Sequence, residues 1–214
     1  IINQAFKFHS KGNISEAAKY YQYFIQQGFK DHRIFSNYGV ILKNLGKLKE
    51  AELSYREAIE IKPDFAKAHY NLGNISRDLG KLKEAELSHR KAIELNPNFA
   101  EAHSNLGVLL KDLGKLKEAE LCQRKAIELN PNFVEALFNL GNLLIDLGKR
   151  EEAIKYWTKS VELKPDLDKA VISLARNLCY EKKYDLALKF LSKNKSNSCQ
   201  ILYLGCLLSL DREK

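Results

Sequence analysis

The chain has 214 residues, with no methionine, one tryptophan, four prolines and four cysteines. No run of apolar residues approaches the ~18 needed to cross a membrane, and the first residues lack the charged-then-apolar pattern of a secretory signal. Cys122, Cys179, Cys199 and Cys206 form no C-x-x-C pair and have no histidine-flanked ligand spacing. Free thiols in a cytoplasmic setting are expected, and no metal. The phosphate loop G-x-x-x-x-G-K-[ST] is missing, as are H-E-x-x-H and the nucleophile elbow G-x-S-x-G. Neither catalytic residues nor a cofactor are therefore expected, and the chain reads as a non-enzyme. Because it opens on Ile1 without any methionine, it is expected to be a piece of something longer, and an enzyme domain elsewhere stays open.

A surplus of one charge sign along the middle is also missing. The net charge is +8, but residues 32–167 carry 22 basic and 20 acidic groups. Residues 1–31 carry four and two, and residues 168–214 carry nine and five. A nucleic-acid binder gathers its charge into a patch or stripe; here the surplus sits at the ends. Neither nucleic acid nor membrane is expected as a partner. Hydrophobic residues at 45% and charged residues at 29% are an ordinary soluble balance, sufficient for a continuous core.

What the chain does have is self-similarity. Gly12, Gly46, Gly80, Gly114 and Gly148 recur every 34 residues, as do Ala17, Ala51, Ala85, Ala119, Ala153 and Ala187, and Pro63, Pro97, Pro131 and Pro165. The period reads as two helices. With Ala66–Phe99 numbered 1 to 34, His69, Leu72, Gly73 and Ser76 fall at 4, 7, 8 and 11, one face of a first helix. Ala85, His89, Ala92 and Ile93 fall at 20, 24, 27 and 28, one face of a second. Gly80 at 15 can end the first helix in a left-handed conformation. Pro97 cannot continue the second, and Asn98, like Asp64, Asn132 and Asp166, offers an N-cap oxygen to the next. Glycine at 8 (Gly39, Gly73, Gly107, Gly141) costs ~0.5–1 kcal/mol within a helix. Its recurrence predicts close approach of the paired helices.

The run Leu72-Gly73, Gly80, Ala85, Ala92, Pro97 resembles the tetratricopeptide repeat, over roughly residues 1–194. The resemblance implies an all-α, right-handed superhelical solenoid of antiparallel helix pairs. Six units are expected: 1–31 (partial), 32–65, 66–99, 100–133, 134–167 and a degenerate 168–197. In the last, Lys182 replaces glycine and proline is missing. Residues 198–214 read as a capping helix, or as the start of a further unit, since Leu204, Gly205 and Leu208 restart the 7, 8, 11 pattern. Lys193–Ser198 is the only linker-like stretch.

The resemblance further implies that positions 2, 5, 6, 9, 12 and 13 line a groove. Position 6 is Asn37, Asn71, Asn105 and Asn139, joined at position 9 by Asn74 and Asn142. A ladder of amides offers a donor and an acceptor at each rung and can pair with an extended chain whatever its side chains. The alternative is that these asparagines only bond neighbouring helices. The ladder is similar to that in the repeat region of O-linked N-acetylglucosamine transferase, which implies that the partner is a protein or extended peptide. The lysine-and-asparagine clamp of chaperone-binding members is not met in any three consecutive units. Tyr70 and Phe138 are expected as apolar anchors. Lys43, Lys67, Arg77, Lys111, Asp112 and Asp146 form an expected charge gradient, positive toward Lys43 and negative toward Asp146. His69, His89 and His103 read as packing substitutions, and Glu84 and Glu86 as acids favouring a helix dipole. The aromatic first unit (Tyr20, Tyr21, Tyr23, Phe24, Phe29) raises a second reading, a homo-oligomer formed through that surface.

Overall fold

The computed structural model describes residues 2–212, with side chains as far as Leu210. Ile1, Glu213 and Lys214, the ends of the expected first unit and last helix, lie outside the described residues. Every described element is helical: α1 (Ile2–Ser10), α2 (Ile14–Gln26), α3 (His32–Asn44), α4 (Leu48–Ile61), α5 (Ala66–Asp78), α6 (Leu82–Leu95), α7 (Ala100–Asp112), α8 (Leu116–Leu129), α9 (Val134–Asp146), α10 (Arg150–Leu163), α11 (Asp168–Tyr180), α12 (Tyr184–Leu191) and α13 (Asn197–Arg212). The chain is an all-α helical repeat. It forms two compact units, Ile1–Leu109 and Leu110–Lys214, divided within α7.

Local chemistry sets each boundary. First helices end where glycine turns left-handed, at φ 74 for Gly46, 75 for Gly80 and 73 for Gly148. The next amide then closes a six-residue ring, as Lys81 N donates to Ser76 O at 2.8 Å. In the sixth pair Lys182 is forced into the same conformation at φ 59. Second helices end two residues before proline. Lys62, Asn96, Asn130 and Lys164 are all extended, with φ between −137 and −140, because proline excludes the helical region from the residue before it. The expected N-caps are corrected. Phe65, Phe133 and Leu167 hold the cap position with no side-chain bond. Asp64, Asn132 and Asp166 sit one residue too early. The polar work is done further back, where Asn96 and Asn130 accept from the amides of Asn98 and Asn132, each at 3.2 Å.

In the unit Ile1–Leu109, α3 pairs with α4 and α5 with α6, and α4 packs on α5. The position-8 glycines are where the pairs close. A Cβ on Gly39 would stand 2.7 Å from the Tyr55 ring, and one on Gly73 2.7 Å from the His89 ring. In the unit Leu110–Lys214, α9 pairs with α10 around Gly141, where a Cβ would stand 2.5 Å from the Trp157 indole nitrogen. The flat ring at position 24 fills the space that glycine vacates. Alanines on either side of it are fully buried: Ala51 and Ala58, then Ala85 and Ala92.

A lateral ion ladder joins successive second helices, and sequence reading missed it. Glu52 of α4 accepts from Lys81 at 2.7 Å and from Arg56 at 2.9 Å, and Arg56 also reaches Glu84. The second unit repeats this: Glu120 with Lys149 at 2.9 Å, and Arg124 with Glu152 at 2.6 Å. Glu84, expected to act through the helix dipole, is thus a bridge to the preceding pair, and Glu86 pairs with Arg90 at 2.9 Å.

Lys193–Ser198 is a pinned joint. The Asn194 amide is buried and donates to Pro165 O at 3.2 Å and Asp168 Oδ1 at 2.9 Å, while its Oδ1 accepts from Ser196 N. α13 lies on α11 and α12 and buries Cys199 and Cys206.

Candidate functional site

Within the first unit, Asn37 (α3), Asn71 (α5) and Asn105 (α7) share one helix-face register, and all three are half-buried. They are not chemically equivalent. The Asn105 amide nitrogen donates sideways, to Asn74 Oδ1 at 2.7 Å and to the Tyr70 hydroxyl at 3.1 Å. Asn37 makes a long bond, 3.4 Å, to the hydroxyl of Tyr21 on α2. The Asn71 amide nitrogen is buried with no hydrogen-bond partner. An unmade bond at a buried polar group costs ~1–3 kcal/mol. The expected ladder is therefore partly consumed by bonds between neighbouring pairs. One residue escaped the sequence reading: Asn3 of α1 lies one period before Asn37, in the same register and exposed.

A hollow of about 380 Å³ opens beside Asn37, walled by Phe6 and Phe65 and rimmed by His9, Arg33 and Lys67. Arg33 is held by Asp31 at 2.6 Å, and this bond keeps the Asp31 carboxyl below its usual range. Lys67 is exposed, with no ion-pair partner among the described residues. Burial, and then the charge of Lys67, push the His9 imidazole below its ordinary value. Tyr70 is no free anchor: its ring packs 4.8 Å from Phe99 and 5.8 Å from His89.

Within the second unit, Asn139 and Asn142 of α9 are half-buried. Phe138 departs from expectation. It is 8% exposed, with the Lys169 ammonium 4.8 Å above its ring, so it belongs to the core. Asn142 borders a second hollow of about 280 Å³ with Lys111, Asp146, Ser173, Arg176 and Asn177. Of the α11 residues among these, Arg176 falls at groove position 9 and was expected to restore positive charge, whereas Ser173 and Asn177 were not foreseen.

Part of the expected charge gradient is paired locally. Lys43 lies 3.5 Å from Asp78, and Lys111 lies 2.8 Å from Asp146. In each pair a base at position 12 meets an acid at position 13 of the following repeat. Arg77 is half-buried and Asp112 exposed. The histidines do packing work. His69 and His103 approach the carbonyls of Pro63 and Pro97 at 2.8 and 3.0 Å, clipping the turn before their own helix. His89 is fully buried, and that burial pushes its pKa down to about 4. Among the described residues no group of three or more His, Cys, Asp or Glu could hold a metal, and no helix is long and apolar enough to cross a membrane.

Regular helix pairs, closed by ring-on-glycine contacts and presenting a polar first-helix face, define a helical-repeat protein of the protein-interaction class. Residues 39–76 and 73–114 match the TPR repeat, and residues 100–133 and 134–167 match the tetratricopeptide repeat. The chain belongs to the tetratricopeptide repeat family. No curated protein matches it. Among solved structures it is similar to YrrB, described as a TPR protein with an unusual peptide-binding site, at 26% identity and TM-score 0.68, over 90% of this chain and 98% of that one. PilF of Pseudomonas aeruginosa shares 22% identity at TM-score 0.72, over 85% of this chain and 90% of that one. MamA shares 24% at TM-score 0.67, over 75% and 94%. The last two likenesses concern the fold alone.

Proposed function

We propose that the chain is a non-catalytic scaffold that binds an extended peptide along its first-helix faces, in a reducing compartment such as the cytoplasm. One observation carries this reading: half-buried asparagine amides recur at a single register, beside hollows lined by other polar residues of the same faces. The Asn71 amide nitrogen, buried without a partner, is the rung best supplied to meet a peptide carbonyl after a small side-chain rotation. Lys67, unpaired at the rim of the hollow beside Asn37, favours an acidic side chain there. YrrB, a relative in fold, is itself described as a peptide-binding TPR protein. The affinity expected is micromolar: each amide bond is worth ~1 kcal/mol net, so a few rungs give roughly a thousandfold.

The test is a peptide selected from a random display library on the protein, titrated calorimetrically. Replacing Asn71, Asn105 and Asn139 together by alanine should weaken it by about tenfold or more, with helicity kept by circular dichroism. Undiminished affinity in that variant sinks the reading. Self-association through the first unit is the weaker alternative. Tyr23 and Phe29 are each 51% exposed, but Tyr20 is engaged within its own unit, stacked 5.5 Å from Phe8.

A further inference from the structure

The two units differ in what their lateral bonds leave over. In the unit Ile1–Leu109, Asn105 spends its amide nitrogen on Asn74 at 2.7 Å and on the Tyr70 hydroxyl at 3.1 Å. In the unit Leu110–Lys214 the equivalent positions, two periods on, are Ser173, Asn142 and Phe138. Serine lacks the reach of asparagine, and phenylalanine has no hydroxyl to offer. Asn142 therefore keeps its amide: it is half-buried, with no hydrogen-bond partner among the described residues.

Arg176 brings a charge to the hollow that Asn142 borders. It stands at position 9, where the four preceding repeats carry Val40, Asn74, Val108 and Asn142. It is exposed and has no ion-pair partner among the described residues. Asp146, the acid at this hollow, is already held by Lys111 at 2.8 Å, so the lining carries one unspent positive charge. Unspent donors also outnumber unspent acceptors. The Asn177 amide nitrogen is taken by Ser173 O at 3.0 Å. The Arg176 guanidinium and the Asn142 amide remain, and Trp157, which also borders the hollow, has its indole N–H buried without a partner. A guanidinium beside amide donors suits a carboxylate, whose two oxygens accept in one plane.

We propose that this hollow is a carboxylate subsite, in which Arg176 and Asn142 hold one Asp or Glu side chain of the bound peptide. One carboxylate balances the one unspent charge. The assignment rests on the peptide-binding reading for its ligand. It also reverses the charge expectation drawn from sequence, because the end expected to be negative takes an acidic side chain.

Trp157 is the one tryptophan of the chain, so its indole N–H resonance reports on this hollow alone. The probes are heptapeptides of alanine with a central Glu, Gln or Lys, acetylated and amidated at their ends, titrated against the nitrogen-15-labelled 214-residue chain. The Glu peptide should move the indole resonance saturably at about millimolar concentration, at least tenfold below the Gln and Lys peptides, and less tightly in high salt. Arg176→Gln, at an exposed position, should remove that preference with helicity kept by circular dichroism. Arg176→Glu should transfer it to the Lys peptide, and Asp146→Asn, which releases Lys111, should tighten the Glu peptide. An indole unmoved by the Glu peptide, or moved equally by the Glu and Gln peptides, overturns the proposal, as does a preference that survives Arg176→Gln. A Gln peptide with a free C-terminus that binds as tightly as the capped Glu peptide overturns the side-chain assignment. The two readings fail separately. If the display-selected peptide binds while the indole ignores Glu, only this subsite falls. If no peptide is selected while the Glu preference depends on Arg176, the groove reading falls and the subsite stands.

Discussion

His89 is a single side chain with a measurable consequence. Both ring nitrogens are buried without hydrogen-bond partners, and burial lowers its pKa from 6.5 to about 4. Below pH 6.5 the unfolded chain takes up a proton that the folded chain refuses. Stability should therefore be fully present above 6.5 and fall as the pH drops toward 4, by on the order of 3 kcal/mol at the bottom of that window. His89→Phe keeps a flat ring against Gly73 and removes the titration. Urea unfolding from pH 7 to 4 should show a shallower loss of stability in the variant. Lys182 carries a different cost. Its φ of 59 is the left-handed region that glycine holds in the preceding repeats. Lys182→Gly should raise the unfolding free energy by about 1 kcal/mol, read as a higher urea midpoint at unchanged slope. Gly80 as a helix stop was legible in the sequence because a positive φ has a residue signature. The burial of His89 was legible only as a register, since nothing in a histidine's identity tells whether its nitrogens find partners.

Two helices meet correctly here because one presents no side chain where the other presents a ring. Gly141→Ala would push a methyl group into the Trp157 indole, 2.5 Å away, and the buried indole must shift to admit it. Overpacking of this kind costs ~1–3 kcal/mol. A lowered unfolding midpoint checks it, and the absence of a further lowering when Gly141→Ala is added to a Trp157→Ala chain identifies the clash as the cause. The sequence announced this contact through its 8 and 24 positions. It did not announce the lateral ladder through Glu52, Lys81, Arg56 and Glu84. Those residues lie 28 or 29 apart, and spacing within one helix gives no sign of a bond to the next pair. The Asn105 bonds to Tyr70 and Asn74 were hidden for the same reason. A position-6 asparagine looks the same in sequence whether its amide faces a ligand or its neighbour. Asn71→Ala, which removes an unpartnered group, should therefore cost little stability, while Asn105→Ala, which breaks two bonds, should cost ~1–3 kcal/mol in the same unfolding experiment.

At the scale of the molecule, an array in which each helix pair touches only its neighbours distributes stability locally. Hydrogen exchange on the Gly141→Ala variant should lose protection most in α9 and α10, and leave α3 and α4 close to their wild-type values. Uniform loss across all helices would mean that the chain unfolds as one cooperative block. The 34-residue period, carried by glycine, alanine and proline, by itself determined the helices, where they stop and their pairing, because those follow from backbone preference and from which faces can be buried. Tertiary structure alone decided which asparagines keep a free amide, which lysines are neutralised by an acid one repeat away, and that Phe138 is core. Each of these depends on what stands across a gap between helices, and that distance is not written in any local pattern of residues.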